Sequence, residues 1–278
     1  MDRTALHPVF ADCAVAAIDS LRTASSTSDR DTLETIVGMG ADGTPTMHID
    51  AVVEAAILDV VRHHRVNVLS EEAGFIDAGS ALTLVVDPLD GSANAAAGVP
   101  LSCFSAALAM DGEFFQASTV WLETGRTWSG TTEGGIVEGA AATAAVVTRT
   151  TGRSSLDGAA VSLLRPHHRN RDAWWRVADR AARIRILSSS TLEAALVMQG
   201  STDAFLDPAS DTHRLVDLAA ALVLLPLAGG CVLDVFERPI VFDVDQTRRW
   251  SGVVAATVPL AHELAAVARG DFCCMNDR

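Results

Sequence analysis

The sequence predicts an α+β protein made of two unlike halves, and three observations carry that reading. Before about residue 147, two helical periods precede a run of strands. Beyond about residue 158, short apolar runs alternate with helical ones. Small and turn-forming residues over roughly 146–158 separate the two textures. Residues 1–147 are therefore expected to form an N-terminal α+β half, and residues 148–278 a C-terminal α/β half. A chain of 278 residues can bury a sizeable core, and 49% hydrophobic against 20% charged residues suits a globular fold.

The elements follow in order. Pro8 can open a helix carrying Val9, Ala14, Ala17, Ile18 and Leu21 on one side, ended or interrupted at 25–29. After a Gly-rich turn at 38–43, the apolar residues from Ile49 to Val61 keep helical spacing. Val66 to Leu69 reads as a short strand that delivers Glu71 and Glu72. Leu82 to Val86 reads as a buried strand that Asp87 should end, because Pro88 biases the residue before it and donates no N–H. From Leu101 to Trp128 strands dominate, with Asp111-Gly112 and Thr124-Gly125 as turn signals. The small-residue stretch 134–145 suits a strand edge or a loose connection. In the second half, Val161–Leu164, Ile184–Leu187, Ala204–Leu206 and Cys231–Val235 read as strands. Ala173–Ala182, Leu192–Gln199, Leu215–Leu225 and Leu260–Arg269 read as helices.

Composition excludes several functions. The net charge is −14, and all 21 basic residues are arginines. An acidic chain is a poor general binder of nucleic acid, which needs a basic surface to neutralise phosphate. Without lysine there is neither a Walker P-loop nor a Schiff-base nucleophile. The five cysteines (Cys13, Cys103, Cys231, Cys273 and Cys274) are odd in number and form no Cys-x-x-Cys pair, so a reduced, cytoplasmic setting is expected. The longest apolar run, Leu218 to Leu233, contains Pro226 and two glycines and suits a core helix and turn better than a membrane span.

The most informative passage is Asp87-Pro88-Leu89-Asp90-Gly91-Ser92-Ala93-Asn94. It sets two carboxylates where a strand stops, then a glycine, then a residue fit to open a helix. Carboxylates that hold hard cations, beside amides that hold an anion, suit metal-assisted chemistry on phosphate. Taken alone, such a string is usually a turn.

The segment resembles the Asp-Pro-x-Asp-Gly-Thr/Ser-x-Asn signature of the inositol monophosphatase superfamily. Glu71-Glu72 resembles that family's upstream Glu-Glu element. Asp217-Leu218-Ala219-Ala220-Ala221, followed by Ala228-Gly229-Gly230, resembles its C-terminal one. Gly40 to Thr46, with Ile49-Asp50, is similar to archaeal members that act on both inositol phosphates and fructose bisphosphate. The four elements stand in the family's order over roughly 38–230. The resemblance implies a layered α-β-α-β-α sandwich with metals between the halves.

It also implies a ligand set. Glu71, Asp87 and the Leu89 carbonyl would hold one Mg²⁺; Asp87, Asp90 and Asp217 would hold a second; Asp50 matches a weaker third position. Four carboxylates brought together need such neutralisation, and oxygen-only donors favour Mg²⁺. Glu71, Asp87 and Ser92 are the implied catalytic residues, with Glu71 and Ser92 orienting a water. The Gly91 and Ser92 amides would hold phosphate. Ser92 stands where inositol monophosphatases have threonine, and matches the fructose-1,6-bisphosphatase form of the signature.

For the rest of the substrate, Asp207, Ser189 and Ser190 match pocket positions of relatives, and Arg165 and Arg185 are candidates for a second anionic group. Ala95, Val216 and Leu227 depart from the family's usual residues, which leaves the polyol open. The expected function is hydrolysis of a small phosphate ester with two or three Mg²⁺, by a homodimer. A haloacid-dehalogenase mechanism fits poorly, since the aspartates are three apart and lysine is absent. A catalytically silent, metabolite-binding relative is the other alternative. The pairs His63-His64 and His167-His168 read as surface residues, and His213 as a capping or surface residue.

Overall fold

A computed structural model describes residues 3–139 and 148–271, with the backbone alone for 137–139. Helices α1 (Val9–Thr27) and α3 (His48–Val61) pack together on one face of a seven-stranded sheet. Helix α1 begins after Pro8 and turns Val9, Phe10, Cys13, Ala17, Leu21 and Ala24 inward. The Asp29 side chain then caps the short α2 (Arg30–Leu33) by accepting from Thr32 N at 2.9 Å. Between α2 and α3 lies a small hairpin, β1 (Ile36–Met39) and β2 (Pro45–Met47).

The large sheet contains β3 (Asn67–Ser70), β4 (Gly74–Ile76), β5 (Leu82–Asp90), β6 (Cys103–Met110), β7 (Glu113–Trp121), β8 (Arg126–Thr131) and β9 (Gly135–Gly139). Their order is β4-β3-β5-β6-β7-β8-β9, with β3 and β5 parallel and every other pair antiparallel. The short α4 (Ser92–Ala96) leaves the end of β5.

The second half supplies a five-stranded sheet from β10 (Ala160–Leu163), β11 (Arg183–Arg185), β12 (Ala204–Leu206), β13 (Cys231–Asp234) and β14 (Gly252–Ala255), in the order β11-β10-β12-β14-β13. Helices α6 (Ser190–Met198) and α7 (Leu215–Leu227) lie between the two sheets, while α5 (Arg171–Ala178) and α8 (Val258–Arg269) cover the outer face. The result is an α+β sandwich of five layers, α-β-α-β-α, with three buried apolar clusters between successive layers. Helix α7 is apolar on nearly every side, as a helix sandwiched between sheets must be.

The structure corrects one strand end. Strand β5 does not stop at Asp87 but runs on to Asp90, and its register against β6 shifts between those two residues. Pro88 is tolerated because it falls within that irregularity, where no ladder N–H is required. The hairpin β1–β2 and the strand β14 are additions to the expected elements. All of β1 is exposed and shows no alternation, so periodicity could not find it. Cys273, Cys274 and much of the stretch 134–145 lie outside the described residues. Among the described residues, no helix is long and apolar enough to cross a membrane.

Candidate metal centre

Two strand ends and one helix start deliver the carboxylates. The β3 turn carries Glu71 and Glu72; the end of β5 carries Asp87 and Asp90; the first turn of α7 carries Asp217. One oxygen each of Asp87, Asp90 and Asp217 lies within 4.8 Å of the other two. Asp87 is completely buried, and its Oδ1 accepts from Leu89 N at 3.2 Å. Its Oδ2 has no hydrogen-bond partner among the described residues. A buried carboxylate oxygen without a donor is costly unless a cation takes it, so these residues fit a hard divalent metal.

Asp90 is held from the other half: its Oδ2 accepts from Ser189 Oγ (2.8 Å), Thr191 N (2.6 Å) and Thr191 Oγ1 (2.8 Å). Burial, and then the charge of Asp217, raises the Asp90 pKa. Burial raises that of Asp87 well above its ordinary value, with Glu71, Asp90 and Asp217 adding to the effect. Such shifts mark carboxylates that repel one another in a dry site.

A residue absent from the sequence-based expectation dominates the other side. The Arg214 guanidinium meets Asp217 with Nε (3.2 Å) and Nη2 (3.1 Å), Asp42 with Nη1 (3.0 Å), and Glu71 with the same Nη1. Asp217 Oδ2 also accepts the Arg214 backbone N–H at 2.6 Å, closing the start of α7. Burial pushes the Asp217 pKa up, but the adjoining guanidinium outweighs it, and the net shift is downward. Glu71 is pushed up to about 8 by burial, against the pull of Arg214, with Asp217 and Glu72 adding to the rise. Glu71 therefore sits beside the three-carboxylate group but is engaged by an arginine. The signal in the sequence was the i, i+3 spacing of Arg214 and Asp217 at a helix start.

Around this core, Asp42 is buried and accepts the Thr44 amide and hydroxyl, each at 2.8 Å, and Arg249 donates to its carbonyl at 2.9 Å. Asp50 accepts from Met47 N at 3.1 Å, and burial raises its pKa. Glu72 accepts from Thr46 Oγ1 and is raised to about 6, chiefly by burial. A narrow crevice is lined by Asp50, Glu71, Glu72, Pro88 and Leu89. Gly91 has φ +86°, and a Cβ there would meet the Leu101 carbonyl oxygen at 2.7 Å, so only glycine fits this turn into α4. The Ser92 hydroxyl donates to the Leu89 carbonyl at 3.3 Å.

The substrate-side expectations divide. Arg165 and Ser190 line an open depression of about 670 Å³, together with His167, His168, Arg169, Ser188 and Thr212. The two histidines read as surface residues thus border that depression. Asp207 is a correction: it is fully buried, and its oxygens accept from Ser210 N (2.9 Å), Ser210 Oγ and Thr212 N (2.7 Å). It shapes the wall and offers no free carboxylate. Ser189 is buried and directed at Asp90, so it supports that aspartate instead of facing the depression. Arg185 does not line the depression, and its Nη1 is buried without a partner among the described residues. His213 is also corrected, being buried against Phe205 with Nδ1 accepting from Gly252 N at 3.2 Å. His64 pairs with Asp12 at 2.9 Å, away from any metal group.

A five-layer sandwich with an acidic cage at the seam of its halves defines a class of metal-dependent phosphoesterase-like folds. The chain belongs to the inositol monophosphatase family, whose profile matches residues 7–271. It is 34% identical over 216 residues to a fructose-1,6-bisphosphatase/inositol-1-monophosphatase of Methanothermobacter thermautotrophicus, covering 71% of this chain and 74% of that protein. It is 32% identical over 209 residues to the protein of the same description in Thermococcus kodakarensis, covering 75% and 76%. In fold it is similar to a solved inositol monophosphatase–fructose 1,6 bisphosphatase, with a TM-score of 0.81, 22% identity, and 93% and 98% of the two chains covered.

Proposed function

We propose that the protein hydrolyses the phosphate ester of a small polyol or sugar, of the inositol monophosphate or fructose 1,6-bisphosphate type, with Mg²⁺. The observation that carries this reading is the convergence of Asp87, Asp90 and Asp217 within 4.8 Å, with a buried Asp87 oxygen lacking a donor. Membership in the family and the activities for which the archaeal relatives are named support it.

In this reading Asp87, Asp90 and Asp217 hold one ion; Glu71, Asp87 and the Leu89 carbonyl hold another, and Asp50 stands by a third position. When bound, the metal offsets phosphoryl charge and makes water a better nucleophile. Glu71 and Ser92 orient the attacking water. The amides of Gly91 and Ser92, at a turn only glycine can make, steady the phosphate oxygens. Ser190 and Arg165 face the leaving group in the neighbouring depression, where arginine suits a second anionic substituent. A homodimer and a cytoplasmic setting stay with this reading as family-based expectations.

The test is phosphate release from inositol-1-phosphate and fructose 1,6-bisphosphate, with Mg²⁺ and after chelation. Activity should require the metal and fall at least about 100-fold in Asp90→Asn. Turnover that survives chelation, or an unaffected Asp90→Asn variant, would remove the metal from the mechanism.

A further inference from the structure

Arg214 occupies a position that a metal-binding site has no obvious reason to give to a guanidinium. It forks onto both oxygens of Asp217 and also reaches Glu71 and Asp42. Its side chain is only 16% exposed, against 18% for Glu71, 6% for Asp217 and 0% for Asp42. Three carboxylates from three segments therefore share one permanently charged cation. The inner carboxylates differ. The partner-free Oδ2 of Asp87 is not met by Arg214, and Asp90 is held by Ser189 and Thr191.

The contact with Asp42 extends the arrangement to the chain around it. Asp42 orders its own turn through Thr44, and Gly40 N donates to the Thr44 carbonyl at 2.8 Å. Ala41 N donates to the Glu72 carbonyl at 2.9 Å, so the loop 40–46 is pinned at Glu72 and, through Asp42, at Arg214 and Arg249.

We propose that Arg214 is a built-in cation of the acidic cage, and that an ion taken at Glu71 must displace it. An ion held by Asp87, Asp90 and Asp217 needs no such displacement from Asp87 or Asp90, so it binds first. The ion at Glu71 binds second and more weakly, because the free energy of breaking the arginine's contacts subtracts from its own. Loss of the guanidinium from Asp42 removes one anchor of loop 40–46, so occupancy of the second position loosens that loop. The inference rests on the metal-dependent reading above and adds to it an order of binding and a competitor supplied by the chain.

The test is a calorimetric Mn²⁺ titration of the metal-free full chain and of Arg214→Met, with melting temperatures of both, with and without Mn²⁺. Wild type should take up a tight ion and a second at least tenfold weaker; in Arg214→Met the second should tighten at least tenfold. The metal-free variant should melt lower than wild type, and Mn²⁺ should raise its melting temperature by more. Equal second-ion affinities and equal metal-induced shifts would overturn the proposal while leaving the metal-dependent reading intact. No uptake of Mn²⁺ by either protein would overturn both. Should Arg214→Met fail to fold without metal, hydrogen exchange on wild type decides. Amides of 40–46 should exchange at least tenfold faster on filling the second position, and unchanged or slower exchange overturns the idea.

Discussion

Thr191 donates both its amide (2.6 Å) and its hydroxyl (2.8 Å) to one oxygen of Asp90, tying the first turn of α6 to the end of β5. The two residues belong to different halves of the chain, and their bond sets the direction in which the other Asp90 oxygen points. A group that orients a metal ligand typically matters about 10- to 100-fold in metal affinity. Thr191→Val keeps the amide and the shape but loses the hydroxyl. Metal affinity should fall by about tenfold, read by Mn²⁺ titration, with the fold intact by circular dichroism. An unchanged affinity would show that the amide and Ser189 suffice.

Glu54 does for Glu71 what Thr191 does for Asp90. Its Oε1 accepts from Ser70 Oγ (2.5 Å) and from the amides of Glu72 and Ala73 (3.1 Å each), fixing the turn after β3. Glu54→Ala leaves these donors unsatisfied in a buried turn, which should cost about 2–4 kcal/mol in urea denaturation. Glu54→Gln, which retains an accepting oxygen, should recover at least about half of that loss.

Stability of the metal-free protein should fall as pH rises, through Glu193. This residue is fully buried, its Oε1 accepts from Leu187 N at 3.1 Å, and burial raises its pKa to about 8 from an ordinary 4.5. The folded state therefore binds the proton more tightly than the unfolded state. That contribution is full below pH 4.5 and is lost progressively as pH rises towards about 8. It amounts to a few kcal/mol at most, since each tenfold difference in proton affinity between the two states is worth about 1.4 kcal/mol. Glu193→Gln should flatten the stability profile between those limits; an unchanged slope would assign the dependence to other groups.

The depression beside the cage bears on substrate choice. Arg165 lines it with His167, His168 and Arg169, so its wall is basic in an otherwise acidic protein. Arg165→Ala should raise KM for fructose 1,6-bisphosphate by about tenfold and for inositol-1-phosphate by less than about twofold, with kcat little changed. Equal changes for both esters would place Arg165 outside the second anion's reach.

The layered architecture was legible because its elements carry strong periodic signals. Ile49 to Val61 and Leu215 to Leu225 are helical in pattern and in fact, and the Asp111-Gly112 turn joins β6 to β7. The inward-directed residues of the cage were legible as motif positions, each with a fixed spacing to the next. Arg214 was not, since nothing in a linear pattern says which arginine of 21 folds inward. Asp207 and Ser189 misled for a related reason. A polar residue near a pocket reads the same whether it faces a ligand or holds a neighbouring turn, and here tertiary hydrogen bonds decide. The hairpin β1–β2 is held to the body through Glu72 and Asp42 contacts instead of an apolar face, so its strands left no alternation to find.

The placement of Asp217 has a temporal consequence during synthesis. Asp87 and Asp90 leave the ribosome well over a hundred residues before Asp217 does, and Thr191 arrives between them. A nascent chain therefore exposes only part of the chelating group until its last quarter is being made. Premature capture of an ion by a half-built chain is disfavoured, and turnover becomes a reporter of complete synthesis.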